Sequence, residues 1–78
     1  MAGASPDTSI HIQLNGELQT APCGSTVAGL LQHLDIRSDR VAVEVNLRIV
    51  DRQNFDQQRL QEGDRVEIIS FIGGGAGW

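Results

Sequence analysis

One stretch of this chain has the apolar spacing of a helix, and it limits the possible folds more than any other feature. Four apolar residues fall at i, i+3, i+4 and i+7, which places them on one helical face: Val27, Leu30, Leu31 and Leu34. The hydroxyl of Ser25 or Thr26 can cap the first turn by accepting a hydrogen bond from a free backbone N–H. We therefore predict one helix, from about Thr26 to Leu34.

A hairpin is predicted before the helix. Ile10, Ile12 and Leu14 alternate with polar residues, which is the period-two pattern of a half-buried strand. The dipeptide Asn15-Gly16 follows, and it favours a two-residue turn because both residues tolerate positive φ. Residues 17–21 have fewer apolar side chains, so this returning strand is expected at or near an edge of the sheet.

Further strands are predicted after the helix. Three valines alternate with other residues over 41–45, and a turn near Asn46 leads to a short extended piece that contains Leu47 and Ile49-Val50. The apolar run over 66–72 predicts a last strand. The polar segment between them, residues 51–58, contains one large apolar side chain, Phe55, which is expected to hold this loop against the core.

These elements predict a two-layer α+β domain. One helix covers only one face of a sheet, and a helical crossover after a hairpin lets a later strand run parallel to the first. The expected fold is the β-grasp, or ubiquitin-like, arrangement with a mixed sheet of four to five strands and one main helix. We assign residues 1–9 to a disordered leader, 10–72 to the β-grasp domain and 73–78 to a flexible glycine-rich tail.

Composition excludes several classes of function. The net charge of −4 argues against a nucleic-acid partner, because a phosphate backbone requires clustered positive charge. The sequence has neither the pattern of a signal peptide nor an apolar run of about 20 residues, so we expect a cytoplasmic protein without a membrane partner. The single cysteine, Cys23, can form no internal disulfide and has no partners nearby in sequence for binding a metal.

The glycine run Gly73-Gly74-Gly75 directly follows the last predicted strand. Glycine lets a main chain enter a channel too narrow for any Cβ, so the run is suited to insertion into another protein's active site. A frayed terminus is the other interpretation, since terminal residues are often poorly ordered. The tail alone leaves both open.

The last strand contains a candidate docking surface. Ile69 and Phe71 share a face with Glu67, on the side opposite the residues predicted for the core. They form either an exposed patch that contacts a partner or a second edge of the core covered by the loop around Phe55. The alternation leaves both arrangements open.

Four segments of the chain form a further pattern. They are Asn15-Gly16-Glu17, then Val41-Ala42-Val43-Glu44-Val45-Asn46, then Ile49-Val50 with Arg52 and Phe55, and finally Gly63-Asp64-Arg65-Val66-Glu67-Ile68-Ile69 with the glycine run. Together they resemble the ThiS family, the sulfur carriers of thiamin thiazole biosynthesis, over about residues 10–75. The Gly-Asp turn and the glycine end occur in other β-grasp carriers. The valine-rich strand ending in Asn, with the Ile-Val, Arg and aromatic spacing, favours ThiS.

The resemblance implies a function for the tail. Gly75, flanked by Gly74 and Gly73, would be adenylated by a separate enzyme that uses its own ATP and magnesium. A sulfur donor protein would then supply the sulfur of a thiocarboxylate, which thiazole synthase would consume. The chain would be a protein co-substrate and not an enzyme, with no catalytic residue, bound metal or cofactor of its own. Ile69 and Phe71 would dock the adenylating enzyme.

One departure from the family pattern falls at this site. Family members normally end at the glycine pair, whereas this sequence continues with Ala76-Gly77-Trp78. A peptidase that trims the tail is therefore a further expected partner. Two alternatives stay open: a carrier for molybdopterin or another sulfur-containing product, and a β-grasp protein-binding module without carrier chemistry.

Overall fold

Residues 9–71 are described by a computed structural model, and they form five strands and one helix. The elements in chain order are β1 (Ser9–Leu14), β2 (Glu17–Pro22), α1 (Val27–His33), β3 (Val41–Val45), β4 (Arg48–Val50) and β5 (Arg65–Ser70). Short 3₁₀ turns precede β3 and follow β4, at Ser38–Arg40 and Arg52–Asn54. β1 begins at Ser9, one residue before its predicted start. Residues 1–8 of the predicted leader and the predicted tail lie outside the described residues.

The five strands form one mixed sheet with the order β2-β1-β5-β3-β4. β5 lies in the middle, parallel to β1 and antiparallel to β3. The parallel pair is possible because α1 carries the chain across the sheet between the first hairpin and the later strands. The predicted mixed sheet is confirmed, and so is the edge position of β2.

The helix is capped and oriented as its sequence predicts. The Thr26 hydroxyl accepts a hydrogen bond from the Gly29 N–H at 3.1 Å, which satisfies one of the free donors of the first turn. Val27, Leu30 and Leu31 are buried, and the helix ends with Leu34 as its C-cap. Two further first-turn N–H groups are used across the fold: those of Val27 and Ala28 donate to carbonyls of residues 58 and 55, both at 2.9 Å.

The core lies between α1 and one face of the sheet. Its buried residues are Ile10, Ile12, Ala21, Val27, Leu30, Leu31, Val41, Val43, Val45, Phe55, Leu60 and Val66. Phe55 is only 3% exposed, which confirms that it holds the 51–58 loop to the core. No polar or charged side chain is buried within residues 9–71. The core is therefore apolar on the helix side, and the polar chemistry of the described domain lies on its surface.

Candidate functional site

The end of β5 carries two exposed apolar side chains. Ile69 is 46% exposed although it belongs to the central strand of the sheet, and Phe71, which directly follows β5, is 49% exposed. The strand therefore ends at Ser70, two residues before its predicted end. Phe55 packs on the helix side, so the loop around it does not cover them. Of the two arrangements that the alternation left open, the structure has the exposed one. The docking role of Ile69 and Phe71 stays a prediction.

The surface around these side chains continues across the neighbouring strands. Ala42 lies opposite Ile69 in the β3–β5 pair, Glu44 lies opposite Glu67, and Ile49 of β4 lies opposite Glu44. We call this surface the docking face; it comprises Ala42, Glu44, Ile49, Glu67, Ile69 and Phe71. Its apolar part is more extensive than the sequence alone indicated, because Ile49 is exposed beside it.

Two carboxylates lie side by side on the docking face. Glu44 and Glu67 are directly opposite each other on adjacent strands, and both are half-buried. Like charges in this position repel and destabilise a sheet. Within residues 9–71, an ion pair connects Arg37 with Asp39 and the His11 ring contacts the Glu62 carboxylate, and neither Glu44 nor Glu67 has such a partner. The docking face is thus apolar and negatively charged.

β5 is held from both sides by asparagines in the neighbouring turns. On the β1 side, the Asn15 Oδ1 accepts from the Ile68 N–H at 2.8 Å. On the β3 side, the Asn46 Oδ1 accepts from the Arg65 N–H at 3.0 Å. Sequence reasoning identified both asparagines as turn residues and missed these contacts. No local signal identifies these contacts, because the partners of the two asparagines lie 53 and 19 residues away in the sequence.

The sheet holds the chain that leads into the tail as far as Phe71. Its N–H donates to the Arg40 carbonyl at 2.9 Å, so β5 stays paired with the chain leading into β3 up to this residue. The predicted site residues Gly73, Gly74 and Gly75 lie outside the described residues. Gly73 is two residues further along the chain from Phe71.

The helix side of the sheet has an open groove of about 640 Å³ near the end of β5. Its apolar lining comes from Leu14, Leu34, Ile36 and Ile68, and Arg37 and Arg40 lie at its rim. Arg37 donates two hydrogen bonds to Asp39, and this contact lowers the pKa of the Asp39 carboxyl. One of the two rim arginines therefore already has an anionic partner within the fold.

Residues 9–71 also contain metal-ligating and nucleophilic side chains outside the docking face. No group of three or more His, Cys, Asp or Glu residues in this range is placed to hold a metal ion. Cys23 is exposed. The His11 backbone N–H and ring Nδ1 contact the Glu62 carboxylate at 2.9 and 3.2 Å, which connects β1 to the turn before β5. No helix in the described range is long and apolar enough to cross a membrane.

Known proteins resemble this chain in sequence and in structure. Residues 12–75 match the model of the ThiS family. A thiazole synthase of Magnetococcus marinus is 45% identical over 66 residues, which are 85% of this chain but only 20% of that longer protein. The sulfur carrier protein ThiS of Escherichia coli is 33% identical over 66 residues, covering 85% of this chain and all of that one.

The fold comparison agrees with the sequence comparison. The crystal structure of the thiamine biosynthesis protein ThiS from Geobacter metallireducens superposes with a TM-score of 0.73 at 32% identity. The superposition covers 85% of this chain and the whole of the Geobacter chain. The mixed sheet with one covering helix is therefore shared with a ThiS protein, which confirms the predicted β-grasp fold.

Proposed function

Since the chain belongs to the ThiS family, we propose that it is a sulfur carrier of thiamin thiazole synthesis whose Gly75 carboxyl becomes a thiocarboxylate. The observation that carries this proposal is the extent of the family match, which continues through the last strand and ends at residue 75. The part of the chain that matches therefore includes all three glycines of the run. In this role the chain is a co-substrate, and a second protein performs the chemistry.

The proposed reaction needs a free glycine carboxylate. An α-carboxyl group has a pKa near 3.5 and is ionised at pH 7, so its oxygen can attack phosphorus, but its carbonyl carbon is a poor electrophile for acyl transfer. Its oxygen attacks the α-phosphate of ATP, and pyrophosphate leaves. The resulting acyl adenylate is attacked at its carbonyl carbon by a sulfur nucleophile, and AMP leaves with the electron pair. The ATP and magnesium are bound by the adenylating enzyme.

Three proteins act on the carrier in this proposal: the adenylating enzyme, a sulfur donor protein and thiazole synthase. The relative from Magnetococcus marinus supports the last of these, because one chain named thiazole synthase contains a segment 45% identical to this one. When a carrier segment and the thiazole synthase that uses its sulfur are parts of one chain, the two need not meet by diffusion. We place the reaction in the cytoplasm.

The docking face is the proposed contact with the adenylating enzyme. Phe71 precedes Gly73 by two residues, so an enzyme that accepts the tail must contact the surface around Phe71. Covering that surface also removes water from Glu44 and Glu67, and an enclosed charge without a partner is costly. The enzyme surface that fits is therefore apolar with at least one cation, placed against the two glutamates.

Replacing Phe71 tests this contact. We expect Phe71→Ala to weaken binding to the adenylating enzyme by about 2 kcal/mol, the usual effect of truncating an aromatic anchor. Leu18→Ala is the matched control, because Leu18 is 70% exposed on the edge strand β2 and lies away from the start of the tail. Calorimetric titration of both variants gives the comparison. Equal affinity for Phe71→Ala and the unaltered chain would place the enzyme elsewhere.

The carrier function itself is tested at the tail. A carboxylate on Trp78 would lie roughly 10 Å beyond one on Gly75, at about 3.3 Å per residue. Since a misplacement of only 1 Å can cost about 100-fold in rate, we expect a chain that continues through Trp78 to be inert and one that ends at Gly75 to be adenylated. ATP–pyrophosphate exchange with the adenylating enzyme measures both.

The outcomes separate the proposed function from its alternatives. Equal exchange with the two forms would make a tail-trimming peptidase unnecessary, and the carrier role would stand. Exchange with neither form would favour a protein-binding module. Exchange without support of thiazole formation, in an assay that adds thiazole synthase and a sulfur donor, would favour a carrier for molybdopterin or another product.

A further inference from the structure

The carboxamide of Asn15 occupies the place of a missing peptide group in the sheet. β1 and β5 run parallel, and the Asn15 backbone N–H donates to the Val66 carbonyl at 2.9 Å as part of their ladder. Beyond Asn15 the chain turns back into β2, so β1 provides no further backbone groups for β5. The Asn15 Oδ1 accepts from the Ile68 N–H at 2.8 Å, and its Nδ2 donates to the Ile68 carbonyl at 3.4 Å.

A primary carboxamide has the same acceptor and donor groups as a peptide unit. The side chain of Asn15 therefore extends the β1–β5 ladder by one residue, on the side where β5 would otherwise lose its neighbour. Ile68 is the last position held in this way before Ile69 and Phe71, the two exposed apolar residues of the docking face. We propose that Asn15 is a positioning residue, which holds the end of β5 so that the docking face is ordered before the adenylating enzyme binds.

Asn46 provides a built-in control for this inference. It too follows a strand adjacent to β5 and has positive φ, 53° against 50° for Asn15. Its Oδ1 also accepts from a β5 N–H, but that N–H belongs to Arg65 at the start of the strand, far from the tail. The two asparagines thus make the same kind of bond at opposite ends of one strand, and only Asn15 is next to the docking face.

The expected effect of Asn15 on the adenylation reaction rests on the proposed function. A surface that is ordered before binding loses less conformational freedom when the complex forms. Loosening Ile68 should therefore raise the KM for the carrier, while the saturated complex turns over at an unchanged kcat. A change that only lowers overall stability leaves both values unchanged as long as the carrier stays folded.

Hydrogen exchange of single backbone amides, measured by NMR, tests whether Asn15 holds β5 at Ile68. The experiment needs no partner protein. Asn15→Gly keeps the positive φ and removes the carboxamide; we expect it to speed exchange at Ile68 about fivefold, the factor for one hydrogen bond of ordinary strength. Asn46→Gly should speed exchange at Arg65 by a similar factor and leave Ile68 unchanged. Asn15→Asp retains an acceptor for the Ile68 N–H and should return its exchange close to that of the unaltered chain.

ATP–pyrophosphate exchange with variants that end at Gly75 tests the consequence for docking. We expect Asn15→Gly to raise the KM for the carrier roughly fivefold, Asn15→Asp to restore most of the affinity, and Asn46→Gly to have no effect. Ile68 exchange that does not respond to Asn15→Gly would overturn the inference. An unchanged KM, or an equal rise with Asn46→Gly, would also overturn it.

The same experiment keeps the inference separate from the proposed function. If the unaltered chain ending at Gly75 supports no pyrophosphate exchange, the carrier function fails and Asn15 has no role in it. The NMR comparison would still decide whether Asn15 holds Ile68 in place. If the unaltered chain is active and Ile68 responds while the KM does not, the carrier function stands and the positioning role is wrong.

Discussion

The two hairpins of the domain have similar two-residue turns. Each turn begins with an asparagine, and only its second residue differs. β1 and β2 are joined by Asn15-Gly16, and β3 and β4 by Asn46-Leu47. All four turn residues have positive φ, with 86° at Gly16 and 71° at Leu47. This conformation suits a two-residue hairpin, because its twist matches that of the flanking strands. Glycine adopts it without strain, whereas a leucine there is strained by its Cβ.

The two asparagines differ in what surrounds them. Within residues 9–71, the side-chain hydrogen bonds of Asn15 go to the backbone of β5. The carboxamide of Asn46 also donates to the Asp64 Oδ1 at 3.0 Å, and the other oxygen of that carboxylate accepts from the Gln61 N–H at 2.8 Å. The second hairpin is therefore connected to the turn before β5. The comparison indicates that Asn46 holds the start of β5 as part of a network, whereas on the β1 side Asn15 holds Ile68 through its own two hydrogen bonds.

Replacing each of the two asparagines by aspartate should show this difference most strongly. In Asn46→Asp an oxygen replaces the donor to Asp64, which brings two carboxylates to about 3 Å from each other. We expect a loss of about 2 kcal/mol in the free energy of unfolding at pH 7. In Asn15→Asp only the longer contact to the Ile68 carbonyl is lost, so the expected loss is below about 1 kcal/mol. Urea denaturation of both variants measures the two values.

The loss in Asn46→Asp should also depend on pH. Two adjacent carboxylates raise the pKa of one of them in the folded state above its unfolded value. The folded state then binds more protons, so the stability of this variant recovers relative to the unaltered chain as pH falls through the raised pKa. A deficit that stays constant down to acidic pH would show that carboxylate repulsion is not its cause.

Making the first turn resemble the second should have the next largest effect. In Gly16→Leu the added Cβ would meet no atom within 4 Å, so the cost expected for the substitution is that of the backbone conformation. We expect a loss of about 1–2 kcal/mol, the usual penalty for a side chain in the left-handed region. Thermal unfolding would show this as a fall of roughly 4–8 °C per kcal/mol for a domain of this size. An unchanged melting temperature would mean that the turn relaxes to another conformation.

The reverse substitution, Leu47→Gly, should stabilise the domain. Leu47 is 74% exposed, so its removal sacrifices little packing while relieving the strain of a φ of 71°. Part of the gain is offset because glycine loses more conformational freedom on folding. We expect a net gain of about 0.5–1 kcal/mol, measured as a higher urea midpoint at an unchanged m-value. A loss of stability would mean that Leu47 has a packing role which its exposure does not reveal.

The two turns also show what the sequence can predict. Asn15-Gly16 was placed correctly because both residues are local signals for positive φ. The turn near Asn46 was located only approximately, because leucine is a strand-compatible residue and gives no local turn signal. That turn is fixed by the bonds of Asn46 to Arg65, which is 19 residues further along the chain. The helix and the alternating strands depend on spacing within a few residues, so they were predicted well.

The candidate site was less predictable than the fold. Alternation places Ile69 and Phe71 on one face but cannot show whether another segment covers that face. The 51–58 loop packs on the opposite side because its Phe55 carbonyl accepts from the first turn of α1. The pairing of Glu44 with Glu67 depends on the register between β3 and β5, which requires knowledge of the strand order. Gly73, Gly74 and Gly75 lie outside the described residues, and their role rests on the family match and the tail experiment.

The smallest predicted effect comes from the charged side-chain pair that the second hairpin forms with β5 on the docking face. Glu44 repels Glu67 across the β3–β5 ladder. On the other side of β5, the pairing with β1 ends at Val66, so the turn of the first hairpin follows there and β1 places no residue opposite Glu67. Glu67→Gln should therefore raise the free energy of unfolding by a few tenths of a kcal/mol, up to about 1 kcal/mol. The gain should shrink when salt is raised from about 0.01 M to 1 M, because the repulsion is screened. If a cation of the adenylating enzyme lies against this pair, the same substitution weakens binding to that enzyme. A gain in stability together with a loss of affinity for the enzyme would show that the Glu67 carboxylate serves the partner and not the fold. A loss of stability in Glu67→Gln at low salt would contradict the repulsion between Glu44 and Glu67.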